Sequence, residues 1–112
     1  MATLAQHLFR AGQRRSARDD ISIRTVIWRL TPPQGEAVDA LVVNLSRFGF
    51  MAHTALPPLD GCLIAVDLPE VGEIRARTVW SMEGRLGAEF LTPITADDYA
   101  ALLAGLSIEP FG

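Results

Sequence analysis

The sequence predicts a mainly β domain, namely a six-stranded antiparallel barrel that a C-terminal α-helix closes at one end. Six short segments rich in β-branched and aromatic residues follow one another at intervals of about ten residues, separated by turns that contain Gly or Pro. An amphipathic segment follows the last of them and needs an apolar surface to cover. The chain has 112 residues, 49% of them hydrophobic, and therefore matches one domain over residues 1–112.

The chain starts with a segment that has the features of a short helix. Within residues 3–11, Thr3 can cap the helix, Leu4 and Leu8 lie one turn apart, and Gly12 can end it. We therefore predict, within residues 1–20, an N-terminal helix followed by a loop that contains three arginines.

The first predicted strand, in the barrel region 21–92, is "ISIRTVIWRL". Its apolar residues change face along the strand, with Ile21 and Ile23 on one side and Val26, Trp28 and Leu30 on the other. Either a β-bulge near Thr25 or burial of both faces would explain the change. The next three strands are predicted at about residues 37–45, 48–54 and 62–68.

The fifth and sixth strands show the clearest alternation. An inner set and an outer set are expected: Ile74, Ala76, Trp80, Leu86, Ala88 and Phe90 buried, and Arg75, Arg77 and Glu89 outside. Placing both apolar sets on one side requires Met82 to pair with Leu86, which makes a three-residue loop of residues 83–85. The helix is predicted at residues 95–106, with Thr95 as its cap and Tyr99, Leu102, Leu103 and Leu106 on its apolar face.

The charge of the chain is unevenly distributed. The net charge of −3 argues against binding polymeric nucleic acid or anionic membranes, which requires a broad basic surface. Residues 10–29, however, contain six arginines and two aspartates, a local charge of +4, and the rest of the chain carries −7. All ten basic residues are arginines.

Composition also limits the compartment and the chemistry. The single cysteine, Cys62, cannot form an internal disulfide, and neither a signal peptide nor a transmembrane segment is recognisable, so a cytoplasmic protein is expected. His7 and His53 are far apart and have no nearby cysteine, so no metal site is expected. No catalytic triad or carboxylate pair is recognisable, so the protein is not expected to be an enzyme, and no cofactor is expected.

Two short motifs are candidates for a binding site. "RRSAR" has the form RxxxR, with Arg14 and Arg18 at its ends, in the loop before the first strand. "NLSRFG" has the form (D/N)xSxxG, with Asn44, Ser46 and Gly49, between the second and third strands. Their order, their separation of about 25 to 30 residues and the short β domain that follows resemble the PilZ family. The final "RLGAEFL" is also similar to that family's last strand, and the resemblance covers residues 14–106.

The resemblance implies that the domain binds cyclic di-GMP, a bacterial second messenger, on the outer surface of the barrel. By the family pattern, Arg14 and Arg18 contact phosphate and base, and Arg15 can share or replace the role of Arg14. Independently of the family, the planar guanidinium group suits this ligand, because it can bond to phosphate or to guanine O6 and N7. Asn44 and Ser46 supply polar groups for base edge and phosphate, and Gly49 permits close approach or an unusual backbone angle.

Three residues in or beside the two motifs affect how the site is interpreted. Phe48 stands where many family members have a first glycine, and Arg47 is expected to be exposed rather than a third cationic contact. Gln13 stands where a further arginine accompanies binding of a stacked ligand pair, so one ligand molecule is expected per site.

The expected function is a regulatory domain whose arginine loop closes over cyclic di-GMP and changes a surface for a protein partner. The alternative is a barrel of the same fold that acts as a protein-interaction adaptor without binding the nucleotide.

Overall fold

A computed structural model of the chain describes residues 19–55 and 61–108, apart from the side chains of residues 107 and 108. These ranges contain six strands and one helix, as predicted: β1 (Asp19–Arg29), β2 (Val38–Leu45), β3 (Gly49–Thr54), β4 (Leu63–Leu68), β5 (Gly72–Met82), β6 (Arg85–Phe90) and α1 (Ala96–Ile108). The predicted N-terminal helix lies outside the described residues.

The six strands form a closed barrel in the spatial order β1, β2, β3, β6, β5, β4. Every neighbouring pair is antiparallel, and pairing of Ile27, Trp28 and Arg29 of β1 with β4 closes the barrel. The interior is filled by apolar side chains from all six strands, among them Ile23, Ile27, Val42, Phe50, Ile64, Val66, Ala76, Leu86 and Phe90. The antiparallel barrel predicted from the sequence is therefore confirmed.

Of the two predicted explanations for the change of face in β1, a bulge near Thr25 is wrong, whereas burial on both faces agrees with the structure. The register of β1 against β2 shifts between Asp20 and Ile23, so the bulge lies before Ile23 rather than near Thr25. Beyond it the strand alternates regularly, with Ile23 and Ile27 buried and Val26 and Trp28 partly buried. The bulge separates the first two residues of β1 from the rest of its pairing with β2.

The predicted register of the last hairpin is wrong. Met82 pairs with Arg85 rather than with Leu86, so the loop has two residues, Glu83 and Gly84. Both have positive φ angles, 50° and 78°, as in the type I′ turn that suits the twist of an antiparallel hairpin. A bulge at Val79 then returns the inner residues of both strands to the same side.

The bulge changes the position of Trp80. Trp80 is partly buried and pairs with Gly87, and a Cβ atom at Gly87 would overlap its indole ring. Because Leu86 and Ala88 on either side of Gly87 are buried in the core, Gly87 and the indole lie on the outer face. Burial of Ala76, Leu86, Ala88 and Phe90 and exposure of Arg75 and Arg77 are confirmed, whereas Ile74 and Glu89 are partly buried.

Helix α1 packs against the core through the face that was predicted. Tyr99 and Leu102 are buried, and Leu103 and Leu106 pack against the core at partial burial. Thr95 caps the helix, since its Oγ1 accepts a hydrogen bond of 3.1 Å from the backbone N–H of Asp98. Across residues 19–55 and 61–108, the structure contains no helix with the length and apolar character needed to span a membrane.

The two-residue hairpin makes a testable prediction at Glu83. A residue other than glycine pays roughly 1–2 kcal/mol for a left-handed backbone, and asparagine tolerates that conformation better. Glu83→Asn should therefore recover part of this cost and raise the free energy of unfolding, measured by urea denaturation. Glu73→Asn, an exposed acid within β5, is the matched control and should give no gain. An unchanged or lower stability of Glu83→Asn would contradict the two-residue turn.

Candidate functional site

The motif "NLSRFG" forms the end of β2, a tight turn and the first residue of β3. The backbone N–H of Ser46 donates a hydrogen bond of 3.0 Å to the carbonyl of Gly49, which closes the turn. The Ser46 Oγ accepts a bond of 3.1 Å from the N–H of Phe48, and Ser46 is only 1% exposed. The hydroxyl group therefore stabilises the turn from inside rather than extending into solvent.

Gly49 is required by close packing between strands. It is buried and pairs with Glu89 of β6. A Cβ atom at this position would overlap the carbonyl oxygen of Ala88 and lie 3.3 Å from the Cα of Glu89. Gly49 does not have a positive φ. Glycine is therefore needed here because β3 and β6 approach closely, and not because the backbone angle is unusual.

Asn44 connects the end of β2 to the start of β1. Asp20 is its partner across the two strands, and the Asn44 Nδ2 donates a hydrogen bond of 2.8 Å to the Asp20 Oδ1. Asn44 is 6% exposed, whereas Asp20 is exposed. The Oδ1 of Asn44 is buried and has no hydrogen-bond partner within the part of the chain that the structure describes. A buried acceptor in this state costs free energy until a donor reaches it.

Tyr99 links helix α1 to both strands. Its hydroxyl lies 3.0 Å from the carbonyl oxygen of Leu45 and also hydrogen-bonds to the carboxylate of Asp19. Asp19 and Leu45 are themselves paired between β1 and β2. Burial, followed by the hydrogen bond to Asp19 and its negative charge, raises the pKa of Tyr99 above the ordinary tyrosine value. The hydroxyl is therefore held in its neutral, donating form.

Arg47 is partly buried rather than exposed as expected. Its Nε donates a hydrogen bond of 2.7 Å to the carbonyl of Ile94, and its guanidinium carbon lies 5.6 Å from the centre of the Phe48 ring. The Ile94 N–H in turn donates to the carbonyl of Arg47 at 2.8 Å. Arg47 thus attaches the motif turn to the segment that leads into α1.

The structure brings only part of the predicted site into view. Asn44, Ser46 and Gly49 lie together at one end of the barrel, whereas Arg14, Arg15 and Arg18 lie outside the described residues. Arg18 is nevertheless covalently bonded to Asp19, and Asp19 pairs with Leu45, the residue between Asn44 and Ser46. The described chain therefore begins, one residue after the arginine motif, beside the second motif.

Three residues of this region were not predicted from the sequence: Asp19, Asp20 and Tyr99. The two aspartates could have been noticed as a pair that directly follows the arginine motif. Tyr99 was predicted only as part of the apolar helix face, and no local pattern indicates that its hydroxyl reaches two strands. Its role becomes visible only in the packed structure.

Two open depressions lie on the outer face of the barrel away from the motif. One, of about 480 Å³, is lined by residues of β1 and β4 and by Pro69; the other, of about 360 Å³, is lined by residues of β1, β2 and β3. Both include Arg24 and Thr25, and neither includes Asn44, Ser46 or Gly49.

Comparison of the chain with protein-family models gives no match, and comparison with curated proteins gives no significantly similar one. The candidate site therefore rests on the residues and their geometry.

The close approach at Gly49 predicts a purely structural effect of substitution. Gly49→Ala should lower the free energy of unfolding by about 1–3 kcal/mol, because β3 and β6 must move apart to admit the methyl group. The matched control is Gly35→Ala, where an added Cβ would lie 3.5 Å from its nearest neighbour and should cost little. Equal urea denaturation curves for Gly49→Ala and wild type would contradict the packing described here.

Removal of the Tyr99 hydroxyl should weaken the fold. Tyr99→Phe removes the one O–H donor that the Asp19 carboxylate and the Leu45 carbonyl share, so a loss of about 1–3 kcal/mol in unfolding free energy is expected. Urea denaturation at pH 7 measures it. Stability within about 0.5 kcal/mol of wild type would show that the bonds contribute little.

The raised pKa of Tyr99 also predicts a pH dependence. Above about pH 10 the unfolded tyrosine ionises while the folded one stays neutral, so wild-type stability should fall as pH rises through this range. Tyr99 is the single tyrosine and the chain has no lysine, so few other groups titrate there. The Tyr99→Phe variant should therefore lose less unfolding free energy than wild type over this pH range. Parallel losses in both proteins between pH 9 and 11 would contradict the prediction.

Proposed function

We propose that the chain is a PilZ-like regulatory domain that binds cyclic di-GMP. The observation that carries the proposal is the pairing of β1 with β2, in which Asp19, the residue after Arg18, lies opposite Leu45. The described chain thus begins one residue after the RxxxR motif and beside the (D/N)xSxxG motif, although 26 positions separate Arg18 from Asn44 in the sequence. In this proposal the two motifs form one ligand site at one end of the barrel.

The charges and donors of the two motifs complement this ligand. Cyclic di-GMP carries two phosphodiester charges and two guanine bases, and Arg14, Arg15 and Arg18 supply planar, permanently charged donors for both. The local charge of +4 over residues 10–29 favours the approach of a dianion to a protein whose net charge is −3.

The described residues supply the rigid half of the site. Asn44 holds the exposed carboxylate of Asp20 at the strand end, and Ser46 and Gly49 hold the turn in place through hydrogen bonds and close packing. In this proposal Ser46 and Gly49 act mainly by shaping the surface beneath the ligand. The arginines close over the ligand from the preceding loop.

Signal output would pass through helix α1 to a protein partner. Asp19 directly follows the arginine motif and hydrogen-bonds to Tyr99 of the helix. A change in the path of the arginine loop on binding would alter this contact, and with it the surface that the helix presents. The partner would recognise that surface.

A second candidate function is a protein-interaction adaptor of the same fold that does not bind the nucleotide. The burial of Ser46 favours it, because a hydroxyl that is 1% exposed and engaged in the turn is poorly placed to reach a phosphate. The two candidates differ in what the arginines do.

Calorimetric titration with cyclic di-GMP distinguishes the two. Wild type should show saturable binding below tens of micromolar ligand, with GTP and cyclic AMP as negative controls. Since a hydrogen bond to a charged group contributes about 1.5–3 kcal/mol, Arg14→Ala and Arg18→Ala should each weaken binding by roughly ten- to a hundredfold. Ser46→Ala should cost less, because the site depends on it only indirectly.

Arg85→Ala is the matched control. Arg85 is exposed and pairs with Met82 and His53, at the opposite end of β6 from the pairing of Glu89 with Gly49. Its removal should leave affinity unchanged if binding is specific, and weaken it if the ligand is attracted by general charge. Absence of saturable binding by wild type, or wild-type affinity in both Arg14→Ala and Arg18→Ala, would favour the adaptor.

A further inference from the structure

Asp20 is an exposed acid beside Asn44 of the second motif, and it belongs to neither motif. It is held in place by the Asn44 Nδ2 at 2.8 Å from its Oδ1. Two register shifts flank this pair, one in β1 directly after Asp20 and one in β2 directly before Asn44. Bulges of this kind reorient side chains and are frequent beside functional sites.

The oxygens that this pair does not use in its own hydrogen bond are acceptors, and the Asn44 Nδ2 keeps one further N–H. The Asp20 carboxylate retains its second oxygen, and the Asn44 Oδ1 is a buried acceptor without a partner among the described residues. An ionised carboxylate offers no donor of its own. The exposed carboxylate of Asp20 therefore suits a group that presents two adjacent donors.

Guanine presents such a group. Its base-pairing edge carries the N1–H and the N2 amino group side by side, whereas adenine has an unprotonated N1 acceptor at the same place. A carboxylate accepts both guanine donors and repels the adenine nitrogen. Bases held outside a duplex are commonly recognised through this edge.

We propose that Asp20 is a specificity-determining residue that accepts hydrogen bonds from the base-pairing edge of guanine, with Asn44 as the residue that positions it. This inference rests on the proposed function, since it assigns the base selectivity of the same site. It makes Asp20 responsible for the choice of guanine over adenine, while the arginines provide affinity for the phosphates.

The test compares cyclic di-GMP with cyclic di-AMP by calorimetric titration. Wild type should prefer cyclic di-GMP. Asp20→Asn keeps an oxygen for the Asn44 amide but replaces the outer acceptor with a donor, so it should weaken binding of cyclic di-GMP by about ten- to a hundredfold and leave cyclic di-AMP unchanged or tighter. Asp39→Asn, an exposed acid on β2 outside the motif, should change neither affinity.

The variant Asp20→Glu distinguishes the effect of the carboxylate's position from the effect of its negative charge. It keeps the negative charge but moves the carboxylate by one methylene group, so it should lose selectivity if Asp20 contacts the base. Unchanged selectivity in Asp20→Glu, or in Asp20→Asn, would overturn the inference. Tighter binding of both ligands by Asp20→Asn would also overturn it, because it would show that Asp20 merely repels the phosphates.

The failure of this inference is distinguishable from failure of the proposed function. If wild type binds cyclic di-GMP through Arg14 and Arg18 but the Asp20 variants retain its selectivity, only the role of Asp20 is wrong. If wild type binds neither dinucleotide, the proposed function and this inference are both wrong. Equal wild-type affinity for the two dinucleotides would overturn the guanine contact alone.

Discussion

The hydrogen bonds of one hydroxyl group, that of Tyr99, attach helix α1 to both strands that carry the candidate site. The bulge in β1 leaves Asp19 and Asp20 paired with β2 but separated from the regular ladder that starts at Ile23. A short terminal pairing of this kind frays easily unless something else holds it. Tyr99 provides that attachment from the buried side, and the position of the site at the strand ends depends on it.

The general architecture could be predicted because it depends on local patterns. Alternation of apolar residues located the strands, and Thr95 with the acids after it located the helix start. The register of the last hairpin could not be predicted in the same way. Its apolar pattern fits a three-residue loop without a bulge, and only packing between strands reveals that Val79 is the extra residue and that Trp80 covers Gly87 from outside.

The candidate site was predictable to the extent that its residues form a motif. The sequence indicated Asn44, Ser46 and Gly49, and the structure places them at the end of β2, in the turn and at the start of β3. It did not indicate that Ser46 would be buried or that Asp20 would be the partner of Asn44, because both depend on contacts across strands. Each of the two aspartates hydrogen-bonds to a neutral group, Asp19 to Tyr99 and Asp20 to Asn44.

The closure of the barrel restricts how another protein can bind it. Each of the six described strands has a neighbour on both sides, since β4 pairs with β1 as well as with β5. Where these strands are paired on both sides, no free row of backbone N–H and carbonyl groups remains, so a partner cannot add a strand of its own there. Recognition at those places must instead use side chains on the outer wall or on the helix. The identity of a partner would then be decided by the shape and charge of those side chains, and would be open to change by single substitutions that leave the barrel intact.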